Sequence, residues 1–378
     1  MRPALVLTLA LIVGACTGNP VVSPSPSAAP HLPTPESISP THAPPTDAPP
    51  TPEASAQHGP PPTPPTPEPV VFNYAYQEYD VPAGSHPHDV APAPDGTVWY
   101  TGQNVGRTGR LDPATGEIVE VLMPGPGSAP HGVIVGPDGA AWVTDQGANT
   151  IERIDSDTLA VTTYPMPGDR AAGPHTPTFD ADGILWFTGQ GAGIIGRLDP
   201  STGVVDLFDT PRGPGPYGID ATPSGHVWYV SLAASYLANI NTLTGESTVF
   251  EPPTPGQGAR RVWSDSTGRL WVSEWNSGQL SMYDPVSGDW REWRLPGLAS
   301  LAYAVYVDEL DFVWVTDWGS NSIVRFDPAT EVFHSYPVPT ADAAIRQLLG
   351  REGELWGAES ATDKLVVLRR VVTLTIID

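Results

Sequence analysis

The chain has 378 residues and a formal net charge of −24 at pH 7. A surface this acidic argues against nucleic acid or an anionic lipid surface as the partner, because both carry the same sign of charge. The length allows one large core, and the only cysteine, Cys16, cannot form a disulfide within the chain.

The first 16 residues have the pattern of an export signal. Arg2 supplies a positive charge, and residues 4–13 form an apolar segment that is too short to span a bilayer. Residues 13–16, Val-Gly-Ala-Cys, resemble a bacterial lipobox, which implies that Cys16 becomes the mature N-terminus and carries lipid. The alternative is an ordinary secretory signal with an incidental cysteine. We expect an exported protein that is lipid-anchored to the outer face of the bacterial cell membrane through Cys16 only.

Residues 17–69 have the composition of a disordered linker. They contain 19 prolines and no Lys or Arg, and Ser, Thr and Ala make up most of the remainder. Such a segment cannot form a core, and its prolines favour polyproline II structure. At about 3.1 Å per residue it reaches at most on the order of 160 Å, so we interpret it as a tether for a globular domain at residues 70–378.

A unit marked by one tryptophan recurs through the globular part. The tryptophans are spaced by 42 to 44 residues: Trp99, Trp142, Trp186, Trp228, Trp271, Trp314 and Trp356. Apolar residues alternate on either side of tight turns such as Asp138-Gly139, which predicts short strands. A fixed period of this length with four strands per unit is typical of a β-propeller, so the fold is predicted to be all-β with seven four-stranded blades. The tryptophans are most simply packing residues between blades.

The N-terminal strand is predicted to close the ring. The last unit supplies only three strands, at residues 345–349, 355–358 and 364–368. Residues 72–81 resemble the fourth strands of the other units, so they should complete the last blade and remove two open sheet edges. Residues 371–378 have a strand-like pattern without an assigned place.

One position in each unit breaks the repeat. It lies 11 residues before each tryptophan, or 10 in the last blade, where the inner strand begins at the mouth of the central channel. We call these residues the mouth ring: His88, His131, His175, Tyr217, Arg260, Tyr303 and Arg346. Packing alone would favour small or apolar residues at seven equivalent places, so the mouth ring predicts a functional site.

A second ring, three residues after each tryptophan, is expected at the same end of the channel: Gly102, Asp145, Gly189, Ser231, Glu274, Asp317 and Glu359. Its carboxylates could meet the histidines. His86 lies two residues before His88, and extended residues two apart point the same way, so both imidazoles could face one metal ion. A purely structural interpretation stays open, in which the histidines bond to carbonyls of the next blade and the acids cap hairpin loops.

The segments PHGVIVGPDGAAWVTD, PYGIDATPSGHVWYVS and IIGRLDPSTGVVDLF resemble the repeats of the virginiamycin B lyase, or streptogramin lyase, family over residues 72–370. The resemblance implies a seven-bladed propeller that linearises a cyclic depsipeptide antibiotic by elimination. In that family the sixth inner strand begins with a histidine, and the seventh blade carries Glu-Pro-His-Gly and a glutamate after its tryptophan strand. The second histidine accepts the proton, and the two glutamates hold magnesium.

The chain departs from this pattern at the catalytic positions. Tyr303 takes the place of the sixth-blade histidine, and residues 344–346, Ala-Ile-Arg, take the place of Glu-Pro-His. Only Glu359 matches the second glutamate. Because a propeller is nearly symmetric, an equivalent site could lie in blades one to three, where His86 in place of the first glutamate would favour zinc or another transition metal over magnesium.

Two functions from different classes follow from these residues. In the first, the mouth binds a small molecule, peptide or glycan without catalysis, through Tyr217, Arg260, Tyr303 and Arg346. In this case the protein is a surface-tethered binding propeller and needs no cofactor.

In the second, the protein is a metal-dependent carbon–oxygen lyase that opens a cyclic ester or depsipeptide. His131 or His175 would be the base, and His86, His88 and Asp145 would hold one divalent ion, Mg²⁺, Zn²⁺ or Mn²⁺. A hydrolytic metal propeller such as a lactonase is a third possibility, but the sequence has no convincing Glu-Asn-Asp calcium set.

Overall fold

A computed structural model describes residues 72–168 and 170–371. They belong to the second of two units, Glu68–Asp378, and the first unit, Met1–Pro67, lies outside the described residues. The predicted signal peptide, the linker and residues 372–378 of the tail also lie outside them, so the predicted domain boundaries stay predictions. Within the described ranges, no helix is long and apolar enough to cross a membrane.

The described residues form seven antiparallel sheets of four strands each, which confirms the all-β, seven-bladed propeller. A short 3₁₀ turn, Gln103–Val105, follows one inner hairpin. The first strands of neighbouring blades contact one another around a closed ring. The channel is therefore lined by seven equivalent strands, one from each blade.

We number the blades in the order of their inner strands, and the strand bounds are as follows. Blade 1 has Pro87–Pro92, Val98–Gly102, Arg107–Leu111 and Ile118–Leu122; blade 2 has Pro130–Val135, Ala141–Asp145, Thr150–Ile154 and Val161–Pro165. Blade 3 has Pro174–Phe179, Leu185–Gly189, Ile194–Asp199 and Val204–Asp209; blade 4 has Pro216–Ala221, Val227–Ser231, Tyr236–Ile240 and Ser247–Phe250. Blade 5 has Ala259–Ser264, Leu270–Glu274, Gln279–Tyr283 and Trp290–Arg294; blade 6 has Ala302–Val307, Val313–Asp317, Ser322–Asp327 and Val332–Pro337. Blade 7 has Ile345–Arg351, Glu354–Glu359, Lys364–Val371 and, as its outer strand, Asn73–Asp80.

The N-terminal strand completes blade 7, as predicted. Asn73–Asp80 pairs antiparallel with Lys364–Val371 along its whole length. The Lys364 Nζ lies 2.7 Å from an Asp80 carboxylate oxygen at one end of this pairing. The first described strand and the last thus join the two ends of the ring. Of the predicted C-terminal tail, only Val371 is described, as the last residue of its strand.

The repeated tryptophans are buried between blades, which confirms their interpretation as packing residues. Trp271 of blade 5, for example, packs against Val313 and Val315 of blade 6 and is only 1% exposed. Polar ends of several indoles are satisfied as well, since the Trp186 Nε1 donates to Asp180 at 2.7 Å. Apolar burial of these large side chains is the main favourable term that holds one blade against the next.

A register shift interrupts each inner strand at the same place. In blade 1 the regular pairing breaks between Pro87 and Val90, and the corresponding break recurs in the other six blades. Such a bulge redirects side chains and breaks the period-2 alternation of a strand. Two consecutive residues of each inner strand can therefore face the channel, the mouth-ring residue and the residue after it.

Hydroxyl side chains two residues after the tryptophans hold these bulges in place. The Thr144 Oγ1 accepts a hydrogen bond from the Gly132 amide at 2.9 Å and donates one to the His175 carbonyl of the next blade at 2.6 Å. Thr101, Thr188 and Ser273 make the same donation to the next mouth-ring carbonyl. Such a hydroxyl connects the inner strands of two neighbouring blades and so positions their mouth-ring residues.

Replacing Thr144 with valine should test this arrangement. The isosteric substitution leaves the buried Gly132 amide and His175 carbonyl without their partner, so we expect the free energy of unfolding to fall by about 1–3 kcal/mol. Urea denaturation of the purified protein followed by tryptophan fluorescence measures the change. Thr163→Val, at an exposed site on the outer strand of the same blade, is the matched control and should cost much less. Equal losses in the two variants would contradict a positioning role for the buried hydroxyl.

Candidate active site and ligand mouth

The mouth ring exists as predicted, because each of its residues is the second residue of an inner strand. His88, His131, His175, Tyr217 and Tyr303 are buried, whereas Arg260 and Arg346 are only partly buried. The ring has two different sides. Histidines occupy blades 1–3, and tyrosines and arginines occupy blades 4–7; we call these the histidine side and the arginine side.

On the histidine side the imidazoles pack against one another. The ring centroids of His88 and His131 are 3.7 Å apart, and those of His131 and His175 are 3.8 Å apart. His175 in turn contacts the edge of Tyr217 at 4.3 Å. Burial lowers the pKa of all three histidines well below the usual value, and neighbouring positive groups add to the effect. At neutral pH they are uncharged bases with little access to solvent.

Below the mouth ring, a buried ion pair crosses the channel. The Arg261 guanidinium of blade 5 lies 3.2 Å from the Asp89 carboxylate of blade 1, and both side chains are at most 5% exposed. The other Arg261 Nη donates to the Thr176 hydroxyl at 2.9 Å, and the His88 Nδ1 lies 2.7 Å from Asp89. Asp89 is the residue after His88, so the bulge brings both side chains into the channel. This network links blades 1, 3 and 5.

On the arginine side, two guanidinium groups flank Tyr303. The Arg260 guanidinium carbon lies 3.7 Å from the centre of the Tyr303 ring, and an Arg346 Nη lies 3.5 Å from the Tyr303 hydroxyl. That hydroxyl also lies 2.6 Å from the Tyr217 hydroxyl, which accepts a hydrogen bond from Arg260 at 3.0 Å. Neither arginine has a carboxylate within 4.0 Å in the part of the chain that the structure describes.

Two half-buried tryptophans complete this side. Trp318 stacks on Tyr303 with ring centroids 4.8 Å apart and an interplanar angle of 14°. Trp275 meets both Tyr303 and Trp318 edge to face, at 5.8 and 5.4 Å. Arg260 also lies over Trp275 and Arg346 over Trp318. The accessible part of the mouth is therefore a platform of aromatic faces and guanidinium groups.

Guanidinium groups gather at the mouth although the whole chain is strongly acidic. Of the three, from Arg260, Arg261 and Arg346, only that of Arg261 has a carboxylate within 4.0 Å among the described residues, from Asp89. Burial alone would raise the pKa of Tyr303, but the three guanidinium groups outweigh it and lower that pKa. Arg346 likewise adds to the burial that lowers the pKa of His86. Asp363 accepts hydrogen bonds from the Gly84 and His86 amides.

Among the described residues, one group of side chains could hold a metal ion: His88, Asp89 and His131, whose ligand atoms all lie within 4.8 Å of one another. Two imidazoles and a carboxylate suit zinc or another transition metal and do not fit magnesium, which prefers an all-oxygen shell. Asp89 is already paired with Arg261, however, and the pairing and the nearby positive charge oppose a cation. The donor set fits a transition metal, and the electrostatic surroundings do not.

The metal ligands proposed from sequence are not brought together. His86 precedes the strand and has a left-handed φ of 51°, so the premise that it is extended and points the same way as His88 is wrong. Its Nε2 lies 3.4 Å from Arg346 instead. Asp145 accepts hydrogen bonds from the Ala129 and Ala148 amides of its own blade. The roles assigned to these residues stay predictions, and Asp89 is the carboxylate that the structure places beside His88.

The second ring does lie at the mouth end of the channel, since Asp145, Glu274, Asp317 and Glu359 each pair with the first residue of an inner strand. Their carboxylates bond to loops of their own blades. Asp317 accepts from the Leu301 and Gly319 amides, and Glu359 from the Thr362 hydroxyl. The structural interpretation of this ring, that acids cap loops, accounts for these contacts.

Sequence reasoning missed four residues of the site: Asp89, Arg261, Trp275 and Trp318. The first two follow mouth-ring residues, and strict strand alternation would turn them away from the channel. The tryptophans directly follow second-ring acids, Glu274 and Asp317. An available signal was that tryptophan appears there in blades 5 and 6 in addition to the repeated tryptophan.

Fold and mouth together define a seven-bladed propeller with a polar, aromatic-lined channel entrance. Residues 70–286 match the sequence profile of the virginiamycin B lyase family. This match covers more than half of the chain, so the chain belongs to that family. None of the curated proteins compared with it matches.

Solved structures of similar proteins support this assignment. The virginiamycin B lyase of Staphylococcus aureus superposes with a TM-score of 0.74 at 22% identity, over 79% of this chain and 100% of that chain. A streptogramin B lyase structure gives 0.73 at 25% identity, over 79% and 98%. A catalytically inactive histidine-to-alanine variant of the Staphylococcus aureus enzyme with quinupristin gives 0.73 at 23%, over 79% and 100%. These similarities show a shared propeller fold.

The buried histidines predict a specific pH dependence of stability. The unfolded chain protonates a histidine near pH 6.5, while burial keeps the folded His175 neutral, so protonation favours unfolding as the pH falls below that value. The free energy of unfolding of the wild type should therefore fall relative to that of His175→Gln, by up to about 1.4 kcal/mol for each pH unit below 6.5. Urea denaturation at pH 7.5, 6.5 and 5.5 measures it.

Comparing His175→Gln with the wild type separates the effect of His175 from the effects of other titratable groups. Burial raises the pKa of Glu152 to about 8 and of Glu359 to about 7, and these acids stabilise the fold at lower pH in both proteins. Their contributions cancel in the difference in free energy of unfolding between wild type and His175→Gln. His334→Gln, on the exposed outer strand of blade 6, is the matched control for replacing a histidine that is not buried. A pH-independent difference for His175→Gln would contradict a buried neutral imidazole.

Proposed function

We propose that this protein is an exported, surface-tethered propeller that binds a small molecule, peptide or glycan at the channel mouth without lyase activity. The observation that carries the proposal is the arginine side, where Arg260 and Arg346 flank an aromatic platform and lack carboxylate partners among the described residues. Aromatic and arginine side chains in a partly desolvated setting are typical anchors of ligand binding.

The same residues argue against the reaction of the family. Tyr303 and Arg346 occupy the two positions where the family has histidines, and the arginine cannot act as a base at neutral pH. Glu359, the one matching acid, bonds to Thr362 and carries a raised pKa, caused first by burial. At the usual blades the chain therefore lacks the two histidines of the family and a magnesium ligand set.

Cys16 and the linker would determine where the protein meets its ligand. Lipid on Cys16 would hold the protein at the outer face of the membrane, and the proline-rich residues 17–69 would let the propeller stand away from it. In this arrangement the mouth can meet soluble ligands outside the cell. The membrane itself contacts only the lipid.

The second candidate function is a metal-dependent lyase on the histidine side. It is favoured by the group of His88, Asp89 and His131, which could hold a transition metal. The neutral His175 packs against His131 and would be the base. A metal there would polarise an ester carbonyl. Against this candidate, the histidines are at most 4% exposed and Asp89 is paired with Arg261.

Incubating the purified protein with quinupristin and with Mg²⁺, Zn²⁺ or Mn²⁺ in turn distinguishes the non-catalytic binding protein from the metal-dependent lyase. We expect the antibiotic to remain cyclic, because among the described residues no group of metal ligands lies beside a base at the accessible side of the mouth. Mass spectrometry after chromatography detects the linear product. Ring opening by wild type that is lost in His131→Ala, but kept in the exposed-site control His334→Ala, would overturn the non-catalytic proposal. An unchanged antibiotic supports it over the lyase.

A further inference from the structure

We infer that the ligand of the mouth carries an oxyanion, namely a carboxylate, phosphate or sulfate, joined to a planar or apolar body. This inference rests on the proposed binding function and specifies its chemistry. It assigns the oxyanion to Arg260 and Arg346 and the body to the exposed parts of Trp275 and Trp318.

The first argument is the unused hydrogen-bonding capacity of the two arginines. Each guanidinium has five N–H donors. Among the described residues, the hydrogen bonds of Arg260 and Arg346 are with tyrosine hydroxyls and His86, and the Nε atoms of both are buried without a hydrogen-bond partner. A buried donor without a partner is costly, and an oxyanion would satisfy several donors at once.

The second argument is local charge. By contrast with Arg260 and Arg346, Arg261 has its counter-ion in Asp89. The guanidinium groups of Arg260 and Arg346, which have no carboxylate within 4.0 Å among the described residues, both contact Tyr303, from blades 5 and 7, so one bound anion could meet both. Because the net charge of the chain repels anions, only local guanidinium groups without a carboxylate partner could attract one.

The third argument concerns the shape of the ligand. Trp275 and Trp318 are half-buried at the rim and lie edge to face, with ring centroids 5.4 Å apart, and each ring borders one of the two guanidinium groups. The part of an aromatic ring that stays exposed accepts planar or apolar groups beside a polar anchor. An inorganic anion would use only the arginines, and an aromatic carboxylate would use both parts of the site.

Binding of simple probes tests the inference. Benzoate, its neutral isostere benzamide, and sulfate are titrated into the purified full chain, with intrinsic tryptophan fluorescence and calorimetry as the readouts. We expect benzoate to bind more tightly than sulfate, and benzamide to bind at least about tenfold more weakly than benzoate. Raising the salt concentration should weaken benzoate binding, because the attraction is electrostatic.

Variants locate the site. Arg260→Gln with Arg346→Gln should weaken benzoate at least about tenfold, and Arg346→Lys alone should retain part of the affinity because it keeps the charge. Arg294→Gln, on the exposed outer strand of blade 5, is the matched control and should bind as wild type does. Circular dichroism of the double variant checks that it is folded. If it is not, Trp318→Leu provides the second test and should weaken benzoate more than sulfate.

The outcomes separate this inference from the proposed function. Benzamide binding as tightly as benzoate, with loss in Trp318→Leu but not in the arginine variants, would overturn the oxyanion assignment and leave a binding mouth. Failure of all three probes to bind at millimolar concentration would overturn the inference itself. Benzoate binding that is equal in wild type and in the double arginine variant would place the anion elsewhere and also contradict it.

Discussion

The ion pair between Asp89 and Arg261 is the interaction on which the rest of the mouth depends. Placing two charges inside a protein is costly unless their geometry is good and their remaining polar atoms are paired. Here Asp89 also meets His88, and Arg261 also meets Thr176, so the pair ties three blades together across the channel. Removal of either partner would leave a buried charge uncompensated, at a penalty of about 3–5 kcal/mol.

This pair also determines what the mouth can bind. Asp89 is the carboxylate in the group with His88 and His131, and it is paired with the Arg261 guanidinium. This guanidinium neutralises the negative charge that would attract a metal ion. Arg260 and Arg346, one layer above, have no carboxylate within 4.0 Å among the residues that the structure describes. In the proposed function, this positive charge binds a ligand from solution. Under that proposal, the propeller fold that this chain shares with lyases of the family serves binding in this chain.

Much of this architecture could be predicted from sequence, because it follows from regular periods. The spacing of the tryptophans fixes the number of blades, and the shortage of one strand after Trp356 predicts the closure by residues 72–81 that the pairing of Asn73 with Val371 shows. The register of the mouth ring also follows, since equivalent positions of equivalent strands must lie at one end of the channel.

The contacts within the site could not be predicted, because they arise where the regular pattern breaks. A bulge in each inner strand turns Asp89 and Arg261 into the channel beside His88 and Arg260, and alternation would have turned them away. The left-handed backbone at His86 separates it from His88. Pairing across blades 1, 3 and 5 joins residues up to 172 positions apart, and no local pattern records it.

Anomalous diffraction from crystals of the protein soaked separately in selenate and in a zinc salt tests most directly whether the mouth receives an anion or a metal. The account predicts a selenium peak within hydrogen-bonding distance of the Arg260 and Arg346 guanidinium groups, and no zinc peak among His88, Asp89 and His131. A zinc peak bound by those three residues, with Arg261 displaced from Asp89 and no selenate at the arginines, would contradict it.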